Sequence, residues 1–329
     1  MTTPALTPTT IDYLEAPLRI GDPDVAGPLA VFPLFGPEPR LAYRSFAQAA
    51  PLGAAVTEMP GGASVNGLVV SNPTDLPVLL YEGEEVLGAQ QNRTFDVSVL
   101  VPAGAKLTVP VSCVEHGRWD GTRHGEALSP APQAAYPQLR RHKSAALRAS
   151  VAQGRAARAD QREVWSEVAE KAVRMAAVSP TGAMHDIYEH QRASLGDLIR
   201  AVRLRDGQLG ALAAIGGRCV VLDHVSRPDV FAALHAPLLQ GYALDALETS
   251  DRPAPSREEA QAFVAQVLYA RLSERDGIGL GRSAQFATPA AAGTALLAEH
   301  ELVQLTVFAE ESAGGTPTQT RIRRPSRRR

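Results

Sequence analysis

Three carboxylates, Glu82, Glu84 and Glu85, stand within four residues around Gly83. Groups of one charge this close repel unless a cation, a base or solvent stabilises them. As a working set, Glu84 and Glu85 are candidate catalytic acid/base groups, or oxygen ligands for a divalent cation. As a solvated turn they do nothing, and both readings stand on the residues alone. A second polar group follows at Gln91, Asn92 and Arg93, and a third at Glu115, Arg118 and Trp119. In that set Arg93 is a planar cation suited to clamping an anion in two parallel bonds. Gln91 and Asn92 can read polar edges, Glu115 can hold Arg93, Arg118 adds a second guanidinium and Trp119 offers a face for stacking.

A hairpin must bring these groups together. Phe95, Val97, Val99 and Val101 alternate with other positions, as do Leu107, Val109, Val111 and Cys113 beyond Pro102-Ala103-Gly104. Strict alternation is the period of a half-buried strand, and a three-residue loop ending in Gly is a common hairpin connection. If Val101 pairs with Ala105, Arg93 lies opposite Cys113 and Gln91 opposite Glu115; a loop two residues longer puts Arg93 opposite Glu115. Either way Gln91, Arg93, Cys113 and Glu115 share the apolar side, so Arg93 and Glu115 are expected to touch. That contact is either a structural ion pair closing the rim or the floor of a polar pocket. Pro110, on the other face, predicts an edge or a bulge.

Gly83-Glu84-Glu85, Gly88-Ala89, Gln91-Asn92-Arg93, Val101-Pro102-Ala103-Gly104, Val111 to Glu115 and Gly117-Arg118-Trp119 together resemble the ADP-ribosylglycohydrolase- and rhodanese-phosphatase-associated protein domain, a bacterial and fungal family. The similarity continues through Gln161 to Trp165 and from Gly210 to Leu247, covering about residues 28 to 310. The resemblance implies a link to the metabolism of NAD-derived ADP-ribose and carries no catalytic residues with it.

Hydrophobic content of 45% and charged content of 21% fit a soluble globular protein. The two cysteines, Cys113 and Cys219, make no disulfide framework, so a cytoplasmic setting is expected. The first residues lack the pattern of a signal peptide, and no apolar run approaches the ~20 residues that cross a bilayer. The net charge of −2 conceals an asymmetry. Arg321 to Arg329 hold six arginines; without them 27 of the 33 basic residues face 35 acidic ones, a net −8. Such a tail is expected to be a disordered end that touches nucleic acid weakly if at all.

The predicted fold class is α+β: an N-terminal β-sandwich or roll, a long-helix segment, and a C-terminal α/β part packed with it. Residues 1–27 read as an irregular arm, 28–310 as one domain (β-rich 28–120, helical 138–205, mixed 206–310) and 311–329 as the basic tail. Ser129-Pro130-Ala131-Pro132 and Pro137 read as a linker. Helices are expected from Leu139 to about Val178, with a break near Gly154, then over His185 to Arg203, Pro228 to Leu247, and Ser256 to Glu274. The last starts with Ser256 as cap and Glu259 three residues on. Gly216-Gly217 joins a second hairpin, Leu209 to Ile215 with Arg218 to Asp223. Two more strands are expected near Gly279 to Ala287 and Leu302 to Phe308.

Other chemistry is weaker. Arg141, Arg148, Arg155 and Arg162 recur every seven residues, with Arg158 beside them, as a phosphate-clamping stripe or a solvated helix face. Cys113 and His116 have opposite parity on a strand and do not form a nucleophile pair. His185, Asp186, Glu189 and His190 lack the HExxH spacing of a helical metal site. No phosphate-binding loop, GxSxG or paired CxxC is present. The expected function is binding or processing of ADP-ribose or a related nucleotide-sugar phosphate. The alternative is a non-catalytic scaffold or regulatory partner of ADP-ribose-processing enzymes, and no particular cofactor is implied.

Overall fold

The alternating row Leu107, Val109, Val111 and Cys113 forms one stave of a closed barrel, with Val109 and Val111 buried inside it. The computed structural model describes residues 7–154 and 159–310. In chain order come β1 (Arg19–Ile20), β2 (Asp24–Ala26), β3 (Leu29–Phe35), β4 (Arg44–Ser45), the single turn α1 (Phe46–Ala49), β5 (Ala55–Thr57), β6 (Gly67–Ser71) and β7 (Val78–Leu80). Then follow β8 (Glu84–Leu87), β9 (Arg93–Phe95), β10 (Val99–Val101), β11 (Lys106–Cys113) and β12 (Ala127–Ala134). Next are the helices α2 (Pro137–Ala152), α3 (Gln161–Arg174), α4 (Met184–His190) and α5 (Arg192–Ile199). After β13 (Gly210–Ile215) and β14 (Arg218–Val225) come α6 (Pro228–Ala246) and α7 (Arg257–Leu268). The meander β15 (Ser273–Asp276), β16 (Arg282–Ala287), β17 (Ala291–Ala298) and β18 (Glu301–Ala309) follows.

The fold is mixed α and β, as expected, and most of its N-terminal strands roll into a closed barrel rather than a sandwich. The barrel runs β11-β6-β5-β12-β8-β9, and a small sheet β10-β7-β4 lies against it. Strand β3, early in the chain, instead pairs with β13 in a nine-stranded sheet ordered β1-β3-β13-β14-β18-β17-β16-β15, with β2 also on β3. The two faces of β3 explain this. Leu29 and Val31 face the helix α6, whereas Ala30, Phe32 and Leu34 face α7. A strand buried on both sides reads as one continuous apolar run. Helix α6 packs between the sheet and the barrel, and approaches β12 closely at Gly241, where a Cβ would sit 3.1 Å from the Ala135 carbonyl.

The predicted hairpin is half correct. Strand β11 pairs with β9 so that Val111 faces Phe95 and Cys113 faces Arg93, the shorter of the two registers. Val99–Val101, however, leaves β11 and pairs with β7, while the first half of β11 pairs with β6. The departure has a local cause. Asp96 Oδ1 accepts from the Ser112 hydroxyl at 2.6 Å and meets Lys143 Nζ at 2.8 Å, which turns the chain out of the barrel. Pro110, which has no N–H to donate, sits where β11 changes partner from β6 to β9.

Three further expectations need correction. The predicted linker Ser129–Pro137 is largely strand β12, whose ladder slips between Pro130 and Ala134 because two prolines withhold donors. The expected break near Gly154 is present, dividing the first helical stretch into α2 and α3, whereas His185 to Arg203, read as one helix, divides into α4 and α5. Strands β15 and β17 were not anticipated, and the helix capped by Ser256 ends at Leu268, before the predicted Glu274. The Gly216-Gly217 hairpin and the Ser256 and Glu259 capping box are as expected. The arm contributes β1, β2 and a short turn over Thr10–Tyr13. The Arg321–Arg329 tail, Arg155 and Arg158 lie outside the described residues.

Candidate functional site

The carboxylate turn is buried rather than solvated. Tyr81 to Glu84 form a tight turn closed by Glu84 N–H donating to the Tyr81 carbonyl at 3.1 Å, with Gly83 at φ +85°. Glu82, Glu84 and Glu85 are 6%, 7% and 1% exposed, which rules out the solvated reading. Their surroundings differ. Glu82 accepts from the Thr294 hydroxyl at 2.6 Å and lies 3.9 Å from Arg140; burial pushes it up, with Arg140 opposing. Burial pushes Glu84 up to about 7, and its only opposing partner is the Tyr81 N–H, donated at 2.7 Å. Glu84 thus braces its own turn.

Glu85 belongs to another group. Burial pushes it up to about 8, so at neutral pH it is mainly protonated. Its Oε2 accepts from Gln133 Nε2 at 2.7 Å, while Oε1 is buried with no partner. The same Gln133 nitrogen lies 2.8 Å from His185 Nδ1. His185 lines an open groove of about 440 Å³ with Gly88, Asn92, Arg118, Arg123 and Ser129. Glu85 on β8, Gln133 on β12 and His185 on α4 therefore connect the barrel wall to the groove.

Glu115 organises the groove's other side. Arg118 donates to it through Nε at 2.8 Å and Nη2 at 2.6 Å, a two-pronged pair. Asn92 N–H donates at 3.0 Å and the Thr181 hydroxyl at 2.8 Å. Burial pushes Glu115 up, but Arg118 and these donors outweigh it and hold the carboxyl below its usual range. Arg118 also donates to the Ala89 carbonyl at 2.7 Å and to Asn92 Oδ1 at 3.0 Å. Gln91 Nε2 donates to the Glu115 carbonyl at 3.1 Å. The predicted meeting of Gln91, Asn92, Glu115 and Arg118 is thus present.

The predicted Arg93–Glu115 pair is not. Arg93 is fully buried beside Cys113, and its ion-pair partner is Glu58, just beyond β5, at 3.8 Å. Among the described residues, nothing hydrogen-bonds to either Glu58 oxygen or to the Nε and Nη2 of Arg93. The reason is parity across the barrel. Arg93 continues the inward row of Phe95, and Glu58 the inward row of Val56, whereas Glu115 lies past the end of β11 and turns to Arg118. Trp119 is 51% exposed, with its ring centroid 6.0 Å from the Arg93 guanidinium carbon. Arg93 therefore does not line the groove, and of the predicted ligand set only Asn92 and Arg118 do.

Sequence reasoning missed Gln133 and Glu58 altogether, and weighed His185 only as a metal ligand. The sole sequence signal for Gln133 was a polar side chain in a run of prolines and alanines. In the structure Asp186 accepts from Ser179 and Glu189 pairs with Arg192, so the acidic residues around His185 are engaged locally. His116 packs edge-on against Trp165 with centroids 4.5 Å apart. Burial pushes the Cys113 thiol up, against an activated nucleophile. The predicted arginine stripe is interrupted, because Arg141 and Arg148 lie on α2 and Arg162 on α3. The buried cations of α2 are instead Arg140 and Lys143.

No helix among the described residues is long and apolar enough to cross a membrane. No curated protein and no solved structure matches the chain. A family model does match, and it spans the barrel, the helices and the nine-stranded sheet together. Over residues 17–308 the sequence fits the ARG and Rhodanese-Phosphatase-superfamily-associated Protein domain, ARPP-1, and the chain belongs to that family.

Proposed function

We propose that the protein binds a small phosphate-bearing ligand of the ADP-ribose class in the groove beside Asn92 and His185. The observation that carries this reading is the groove's lining: two guanidinium groups, an imidazole and an amide around about 440 Å³. That volume lies within the usual range of small-molecule sites, roughly 300–1,000 Å³. Arg123, whose side chain is 38% exposed and among the described residues pairs with the exposed Glu126, is placed to meet a phosphate. Arg118, fixed by Glu115, supplies a rigid positive wall. The exposed Trp119, one residue beyond Arg118 and outside the groove's lining, offers a stacking face for a base that extends past the groove. Glu85, the acid/base candidate, stands behind Gln133 and His185 and does not itself line the groove. Glu84 is excluded from that role by its place in the turn. The choice of ADP-ribose rests on the family's company, since its description names ARG and rhodanese-phosphatase proteins.

A second reading, a non-catalytic scaffold for such enzymes, is favoured by one feature. Every donor nitrogen of Arg118 already has an acceptor in Glu115, Ala89 or Asn92. Calorimetric titration with ADP-ribose, NAD and inorganic phosphate separates the two. Binding of ADP-ribose is expected, and Arg123→Ala should weaken it about tenfold or more, as one charge-assisted hydrogen bond is lost. The melting temperature should not move. No heat with any of the three ligands would leave the scaffold reading.

A further inference from the structure

The amide of Gln133 is 2% exposed and its nitrogen carries two protons. Two groups meet that nitrogen, Glu85 Oε2 at 2.7 Å and His185 Nδ1 at 2.8 Å. In a neutral imidazole one nitrogen donates and the other accepts, and the partner of one decides the state of the other. We infer that Gln133 is a positioning residue that holds His185 in its Nε2–H form, so that the imidazole donates a hydrogen bond to a phosphate or ribose oxygen of the ligand in the groove. This inference rests on the groove being the ligand site proposed above.

The three side chains come from separate elements, β8, β12 and α4, so their convergence is not a local accident of sequence. The clamp is also one-sided. Among the described residues Gln133 is the one partner that reaches the Glu85 carboxyl, because the other carboxyl oxygen is buried without one. Glu85 therefore fixes the amide rather than a ligand. An Nδ1–H imidazole would present only an acceptor to the groove, which suits a phosphate oxygen poorly. The opposite arrangement is chemically definite: with the amide turned over, its oxygen would accept from a protonated Glu85 and from His185 Nδ1–H.

Long-range proton–nitrogen NMR on protein labelled at histidine reads the tautomer directly, without ligand and without a variant. The expected result is a protonated Nε2 and an unprotonated Nδ1 in His185. Gln133→Glu keeps the shape but replaces the donor by an acceptor. It should move the proton to Nδ1 and weaken ADP-ribose binding by about tenfold or more, the effect of one charge-assisted hydrogen bond. A protonated Nδ1 in the wild-type protein overturns the inference. So does undiminished ADP-ribose affinity in a folded Gln133→Glu protein. In both cases wild-type binding persists and the groove remains a ligand site. Absence of binding by wild-type protein overturns the groove as a site, and the donor role of His185 with it.

Discussion

At the scale of single residues, the environment of Glu85 sets a measurable pH dependence. Burial raises its carboxyl from 4.5 to about 8, so the folded chain holds this proton more tightly than the unfolded chain. The stability it contributes is fully present below pH 4.5 and is lost as the pH rises toward 8. Glu85→Gln keeps the bond geometry with Gln133 in reach and removes the titration. Relative to this variant, the wild type should lose up to roughly 5 kcal/mol across that interval, since one pKa unit corresponds to 1.36 kcal/mol. Glu84, raised to about 7, has the same sign in both proteins and cancels in the comparison. Urea denaturation of the pair at several pH values checks it, and parallel stability curves would show that Glu85 is solvated or repartnered.

At the scale of elements, the turn before β8 depends on one glycine. Gly83 sits at φ +85°, and a Cβ there would lie 2.7 Å from both Cδ and Nε of Arg140. Arg140 cannot yield, because its guanidinium is held by Asp223 through Nη1 at 2.9 Å and Nη2 at 2.5 Å. Gly83→Ala thus combines backbone strain with overpacking and should cost ~2–4 kcal/mol in a denaturation experiment. A loss under about 0.5 kcal/mol, the size of an ordinary surface change, would show that the turn relaxes freely. The same elements show what could be read in advance. Alternation gave the rows of β9 and β11, a local signal, and their register agrees with the shorter loop although Val99–Val101 pairs with β7 instead of β11. Strand β17, Ala291 to Ala298, lacks β-branched side chains except Thr294, and it forms because β16 and β18 flank it. Strand β12 hid behind Pro130 and Pro132. The Arg93–Glu58 pair was invisible for a topological reason: it requires barrel closure, which joins residues far apart in sequence. The candidate site was legible at Asn92, Glu115 and Arg118, and illegible at Gln133 and His185, whose meeting depends on α4 docking against β12.

At the scale of the whole molecule, Asp223 in the middle of β14 ties the layers together. Besides Arg140 of α2, it accepts from Tyr81 at 2.6 Å, Tyr242 of α6 at 2.5 Å and Thr306 of β18 at 3.2 Å. Burial alone would raise its carboxyl, but Arg140 and the tyrosine hydroxyls hold it low. The guanidinium of Arg140 also lies over the rings of Tyr81 and Phe308, 5.6 and 5.5 Å from their centroids. Barrel turn, helical layer and sheet therefore share one buried acceptor. Removing it strands a buried cation and takes the acceptor from Tyr242 and from one of the paired hydroxyls of Tyr81 and Thr306, so Asp223→Ala should cost ~3–5 kcal/mol in equilibrium unfolding. An isolated ion pair behaves differently, since replacing both partners by apolar residues of similar volume is often neutral. Here the pair Asp223→Leu with Arg140→Met should not restore stability, because Tyr242 and one of the mutually bonded hydroxyls of Tyr81 and Thr306 would still lack an acceptor, at ~1–3 kcal/mol for each hydroxyl left buried and unmade. Recovery to the wild-type midpoint in the double variant would reduce Asp223 to half of a salt bridge. Persistent loss would identify it as the joint on which the barrel and the sheet depend.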